Sequence, residues 1–126
     1  MARKIMIAGN WKMNGLSEDG VALAREVAAE VKKLGKPACE FLVCPPFTLL
    51  YQVKKALRGA KVALGAQDAH FAVKGAHTGD ISPAMLTDIG CTYVILGHSE
   101  RRADHFETSE LVAHCLLYTS PSPRDL

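Results

Sequence analysis

The sequence predicts an α/β fold built on a parallel sheet, and three observations carry that prediction. Four short runs of β-branched and apolar residues recur along the chain, amphipathic helical patterns separate them, and the two kinds alternate. The runs are Lys4–Ala8, Glu40–Cys44, Lys61–Gly65 and Thr92–Leu96. Their apolar character is nearly continuous, as in strands buried on both faces of a parallel sheet. Alternation of this kind implies right-handed crossovers.

Each helical pattern has its own start and stop signals. Ser17 is the expected N-cap of the first helix, with Glu18 and Asp19 in the first turn. Ala24, Val27, Ala28, Val31 and Leu34 then repeat at helical spacing, and Gly35 with Pro37 ends the helix. A second helix is expected over Thr48–Leu57, with Leu49, Leu50, Val53 and Leu57 on its apolar stripe and Gly59 after it. The third opens on Ser82-Pro83, a cap followed by proline at the first helical position, and stops at Gly90. A fourth is expected to begin near Thr108–Ser109.

Composition narrows the class. The 126 residues, 48% hydrophobic and 22% charged, match one globular domain and exclude a disordered or fibrous chain. No apolar run reaches the roughly 18 residues of a membrane span. The basic start Met1-Ala2-Arg3-Lys4 lacks the apolar stretch of a secretory signal. A net charge of +2 is too weak to predict a nucleic-acid or membrane partner. Cys39, Cys44, Cys91 and Cys115 form no CxxC pair, so a reducing, cytoplasmic location is expected.

Two architectures compete at this point. A doubly wound sheet could be complete at this length, whereas a (β/α)8 barrel needs about 250 residues and would be half present. No glycine-rich phosphate fingerprint follows the first strand, where Gly9-Asn10-Trp11-Lys12 stands instead, and this weakens the doubly wound alternative. The segment Gln67–Asp80 is a long connection, and long loops in compact domains usually carry function or contacts.

Polar residues cluster after two strand ends, where α/β proteins place their active sites. Asn10 and Lys12 follow the first strand; His98, Ser99, Glu100, Arg101 and Arg102 follow the fourth. Lys12 is a compact cation suited to a phosphate or a developing oxyanion, although position alone favours a solvated surface lysine. Asn10 would orient Lys12 or satisfy local backbone groups, and Trp11 reads as packing. His98 is a candidate acid or electrophile, since an imidazole at a helix N-terminus is biased toward its neutral form; a histidine satisfied by backbone is the plain alternative. Glu100 would pair with Lys12, or with Arg101 and Arg102. His70, His77, His105 and His114 make no metal-ligand spacing, so no metal is expected.

Taken together, these blocks resemble the triosephosphate isomerase family. Ala8-Gly9-Asn10-Trp11-Lys12-Met13-Asn14 is similar to its opening block, and Phe41–Pro46 to its second-strand run. Gly65-Ala66-Gln67-Asp68, leading to Gly75-Ala76-His77-Thr78-Gly79-Asp80-Ile81-Ser82, resembles its third loop. Tyr93-Val94-Ile95-Leu96-Gly97-His98-Ser99-Glu100-Arg101-Arg102 resembles its most diagnostic early signature. The blocks occur in family order from about Arg3 to His114.

The resemblance implies a (β/α)8 barrel of which this chain holds about the first four β/α units. It implies a cofactor-free aldose–ketose isomerase of glycolysis and gluconeogenesis, interconverting dihydroxyacetone phosphate and glyceraldehyde 3-phosphate. His98 would be the neutral electrophile for which this family is a standard example. Lys12 would hold the substrate's negative charge, Asn10 would shape that pocket, and Glu100 would be a buried partner supporting Lys12. Thr78, Gly79 and Met13 would lie in a homodimer interface, with Thr78 inserted into the partner.

The likeness also has gaps. The family's catalytic base follows strand six, with a lid loop after it and phosphate loops after strands seven and eight; none has a counterpart in these residues. The chain is therefore expected to divide into a family half, 1–114, and a non-family tail, 115–126. Pro121 and Pro123 forbid a helix interior, and Cys115–Leu126 looks like translated sequencing-adaptor sequence, with the genuine coding sequence expected to end near His114. An alternative is a non-catalytic half-barrel that acts as a binding or assembly module through Gln67–Asp80. In either case strands one and four would be open edges, with Ile5, Ile7, Val94 and Leu96 expected on the uncovered inner face.

Overall fold

A computed structural model describes residues 5–119. The sequence alternation is realised as β1 (Ile5–Asn10), α1 (Ser17–Lys33), β2 (Cys39–Cys44), α2 (Leu50–Ala56), β3 (Val62–Ala66), α3 (Pro83–Asp88), β4 (Tyr93–Val94), α4 (Ser99–Asp104) and α5 (Ser109–Thr119). The strands form one parallel sheet in the order β1-β2-β3-β4. Among the described residues no helix is long and apolar enough to cross a membrane.

Local signals hold at most element ends and fail at a few. Ser82 caps α3 by accepting the Met85 N–H at 3.2 Å, with Pro83 in the first turn. α1 ends at Lys33, and Gly35 beyond it takes φ +67°. Ser17, however, is already helical; the cap is Leu16, so the hydroxyl sits one residue too late to serve. The second helix begins as a 3-10 turn, Phe47–Leu49, before α2. α4 was not predicted: six residues are too few to show an apolar period. α5 crosses the boundary drawn after His114, and Cys115 is buried with its Sγ 3.6 Å from the Ala69 carbonyl oxygen. Pro121 and Pro123 lie outside the described residues.

The register sorts the sheet into two faces. Ile7 pairs with Phe41, Gly9 with Val43, and Val43 with Leu64. This set faces α1 and α2, where Val43, Leu64, Ala24, Ala28, Leu49, Leu50 and Val53 form the core. Full burial of the valines and leucines among them stabilises by about 1.5–3 kcal/mol each. Leu42, Cys44 and Gly65 share the opposite face. A Cβ at Gly65 would lie 2.7 Å from Cys44 Sγ and 3.1 Å from Leu42 Cδ1, so only glycine allows this close packing.

Ile5 and Ile7 therefore belong to the helix-facing side, and the expected inner-face placement is corrected. They are 72% and 53% exposed because no described helix covers that side of β1, so β1 is not buried on both faces. Val94 and Leu96 do find partners against the core. Strands β1 and β4 are the edges of the sheet, as anticipated, and unpaired parallel edges are templates for association. In sedimentation velocity the chain should therefore run as concentration-dependent species heavier than 13.6 kDa, and Ile5→Lys with Ile7→Lys should shift it toward monomer. A single concentration-independent monomer from the unmodified chain would contradict this.

Candidate active site

Parallel pairing brings the carboxyl ends of all four strands to one end of the sheet. At the last β1–β2 rung Asn10 pairs with Cys44, and the Trp11 N–H donates to the Cys44 carbonyl at 3.1 Å. Trp11 packs against the core. The next residue, Lys12, turns sharply with φ +57°, a left-handed conformation that costs a non-glycine residue about 1–3 kcal/mol. Neighbouring groups hold it there. Asn10 Oδ1 accepts the Lys12 N–H at 2.9 Å, and Gln67 Nε2 donates at 2.8 Å both to the Lys12 carbonyl and to the Cys44 carbonyl. One amide thus ties the ends of β1, β2 and β3 together.

The second half of the site comes from β4. Gly97 takes φ +62°, and a Cβ there would lie 2.6 Å from Val112 Cγ2 of α5, so the chain turns under that helix only without a side chain. His98 follows and caps α4: its Nδ1 accepts the Glu100 N–H at 3.1 Å. With the Nδ1 lone pair used, the hydrogen of the neutral ring sits on Nε2, a tautomer assigned from this bond. Both readings of His98 hold at once. It is satisfied by backbone, and it keeps one N–H donor.

Glu100 joins the two halves. Its Oε1 lies 2.7 Å from Lys12 Nζ and its Oε2 3.6 Å from His98 Nδ1. Lys12, not Arg101 or Arg102, is its partner. The hydrogen bond from the Lys12 ammonium holds the Glu100 carboxyl below its usual range. The expectation that Glu100 is buried is corrected: its side chain is 51% exposed, since nothing described covers this end of the sheet.

The two arginines brace α4 instead. Arg101 reaches Asp68 at 3.0 Å and Glu107 at 2.7 Å, while Arg102 donates to the Gly97 carbonyl and to Ser109 Oγ. Burial pushes the Asp68 carboxyl up, against the pull of Arg101. Burial also pushes the Cys44 and Cys91 thiols up to about 11, which leaves them protonated at neutral pH and unfit as nucleophiles. Thr78 and Gly79 are exposed on the loop between β3 and α3, and Met13 is 94% exposed beside Lys12.

Sequence reasoning missed the part played by Gln67 and the Asp68–Arg101–Glu107 brace. Their signal was available in one respect: Gln67 and Asp68 stand directly after β3, at a carboxyl strand end. What the geometry assembles is a fixed cation, an imidazole N–H donor and a glutamate that holds the cation with its carboxylate and the imidazole with its backbone N–H.

The triosephosphate isomerase family model matches residues 5–120. A triosephosphate isomerase from Gluconacetobacter diazotrophicus is 54% identical over 107 residues, covering 85% of this chain and 43% of the relative. The enzyme from Herpetosiphon aurantiacus is 48% identical over 124 residues, covering 96% and 49%. The crystal structure of triosephosphate isomerase from Bartonella henselae superposes with a TM-score of 0.85 at 39% identity, covering 93% of this chain and 47% of that one. The chain thus spans less than half the length of these relatives.

The Lys12–Glu100 bond has a pH signature. The folded Glu100 pKa is below its unfolded value, so what the pair contributes is present above the ordinary carboxylate range. It is lost as pH falls through the lowered value. Carbon-13 titration should find Glu100 below ordinary glutamates, and Lys12→Met should return it to their range. An unmoved titration in Lys12→Met would refute the coupling.

Proposed function

Since the chain belongs to the triosephosphate isomerase family, its sheet being four strands of that family's barrel, we propose that it carries the electrophilic half of a triose-phosphate isomerase site. The reaction moves a proton between adjacent carbons of dihydroxyacetone phosphate and glyceraldehyde 3-phosphate through an enediolate, in glycolysis and gluconeogenesis in the cytoplasm. One observation carries the reading: Glu100 holds Lys12 Nζ at 2.7 Å with its carboxylate and donates its N–H to His98 Nδ1 at 3.1 Å. Glu100 thereby engages both partners at the same end of the sheet, and the carboxylate contact joins residues 88 apart in the chain.

The chemistry follows from these atoms. Nε2–H of the neutral His98 would donate to the substrate carbonyl oxygen and stabilise the charge that develops there. Lys12 supplies permanent positive charge toward the enediolate and phosphate, and Asn10 holds the turn that presents it. Glu100 is engaged by Lys12 and is not the base. The base, the lid and the phosphate loops have no counterpart in these residues and would come from a carboxyl half. No cofactor or metal enters this reaction.

A homodimer is part of the same proposal. The exposed Thr78, Gly79 and Met13 would meet a second copy, with Thr78 reaching its Asn10 and Glu100. In a completed barrel Thr78→Arg should weaken the dimer, and an unchanged dimer at low concentration would refute that contact.

Complementation tests the activity. Residues 1–114 fused to the carboxyl half of a related enzyme should be active, whereas the 126-residue chain alone should show no turnover above background. In the fusion His98→Gln should cost roughly 10²–10⁴ in turnover, the usual span for a positioned proton-transfer group. Lys12→Met should be at least as severe. A fusion indifferent to His98→Gln overturns the role of the histidine, and turnover by the bare chain overturns the division of labour.

A further inference from the structure

The loop between β3 and α3 holds a second cluster, apart from Lys12 and His98, that the isomerase reading does not use. One nitrogen each from His70 and His77 and a carboxylate oxygen of Asp80 lie within 4.8 Å of one another. We propose that these three residues form a binding site for a divalent transition-metal ion of the zinc class.

Backbone bonds bring the ligands together. The His70 N–H donates to the Ile81 carbonyl at 2.8 Å and closes the base of the loop, while the Asp80 N–H donates to the His77 carbonyl at 2.9 Å and folds its tip. The His70 ring stacks on Phe71 at 4.5 Å and lies 4.0 Å from the His77 ring. The separations of seven and three residues along the chain match no familiar ligand spacing, so only the folded loop reveals the set. Tetrahedral zinc with ligands at about 2.0–2.1 Å needs donor atoms about 3.3 Å apart, a short closure for side chains of which two are exposed.

Donor type selects the ion. Two imidazoles and one carboxylate disfavour calcium and magnesium, which take all-oxygen shells, and suit zinc, cobalt, nickel or copper, with water completing the shell. The loop also limits affinity. His70 Nδ1 accepts the Ala72 N–H at 2.9 Å, so Nε2 carries the proton in the metal-free ring. Metal on Nδ1 displaces that N–H. Metal on Nε2 would move the proton to Nδ1, where it faces the N–H. Either route breaks one hydrogen bond, and binding is weaker than at a four-ligand structural site. A bound ion would link the loop base to the tip on either side of Thr78 and Gly79.

Cobalt(II) titration of the full 126-residue chain tests the site. One equivalent should bind with the intense visible absorption of four-coordinate cobalt, displaceable by zinc. His77→Gln and Asp80→Asn should each weaken binding at least tenfold, and His105→Gln should leave it unchanged, with circular dichroism reporting that each variant keeps its helices. Pulsed electron paramagnetic resonance of the copper(II) form, independent of any variant, should count two imidazoles. Absence of saturable binding, binding equally reduced by His105→Gln, binding untouched by His77→Gln, or a count other than two would each overturn the proposal.

Discussion

Lys12 occupies a backbone conformation that lysine avoids, and the ends of three strands are tied together to keep it there. Asn10 Oδ1 satisfies its N–H and Gln67 its carbonyl, while the same Gln67 amide holds the Cys44 carbonyl at the end of β2. The strain persists because the surroundings over-determine it. Released into an extended conformation, the residue would carry its ammonium away from Glu100 and break the bond that links the β1 loop to α4. The architecture of the site therefore rests on an amide that makes no claim to chemistry of its own.

The same economy governs His98. Its ring ends a helix, and ending the helix decides which nitrogen carries hydrogen. A cap that accepts the Glu100 N–H on Nδ1 leaves the ring's N–H donor on Nε2, so the bond that ends the helix also fixes the tautomer that the proposed electrophile needs. Glycine at position 97 is the enabling choice, because Val112 stands where any side chain would go. Arg101 and Arg102 then lock α4 to β3 and α5 through Asp68, Glu107, the Gly97 carbonyl and Ser109. The motif after β4 thus divides into His98 and Glu100, the part that faces Lys12, and a bracing part, Arg101 and Arg102.

Exposure in this chain follows from geometry more than composition. Parallel strands need neighbours on both edges and layers on both faces. Here α1, through its small residues Ala24 and Ala28, and α2 cover Val43 and Leu64, and leave the outer side of β1 bare at Ile5 and Ile7. An apolar strand pattern reports what a strand is suited to bury. It does not report whether the covering element is present, and this is why β1 reads as buried and is not.

The sequence by itself determined the order of strands and helices, the cap at Ser82, the stop at Gly35 and the placing of Asn10, Lys12, His98 and Glu100 after strand ends. Each of these depends on interactions within a few residues: backbone sterics, capping hydroxyls and the period of apolar side chains. The tertiary structure decided the rest. That Glu100 chooses Lys12 over the adjacent arginines is a contact across 88 residues, and the reach of Gln67 to Lys12 spans 55. α4 was too short to show a period, and His70, His77 and Asp80 meet only because the loop folds back through the His70–Ile81 and Asp80–His77 bonds. Local pattern states which groups are available, and closure of the chain in space states which of them touch.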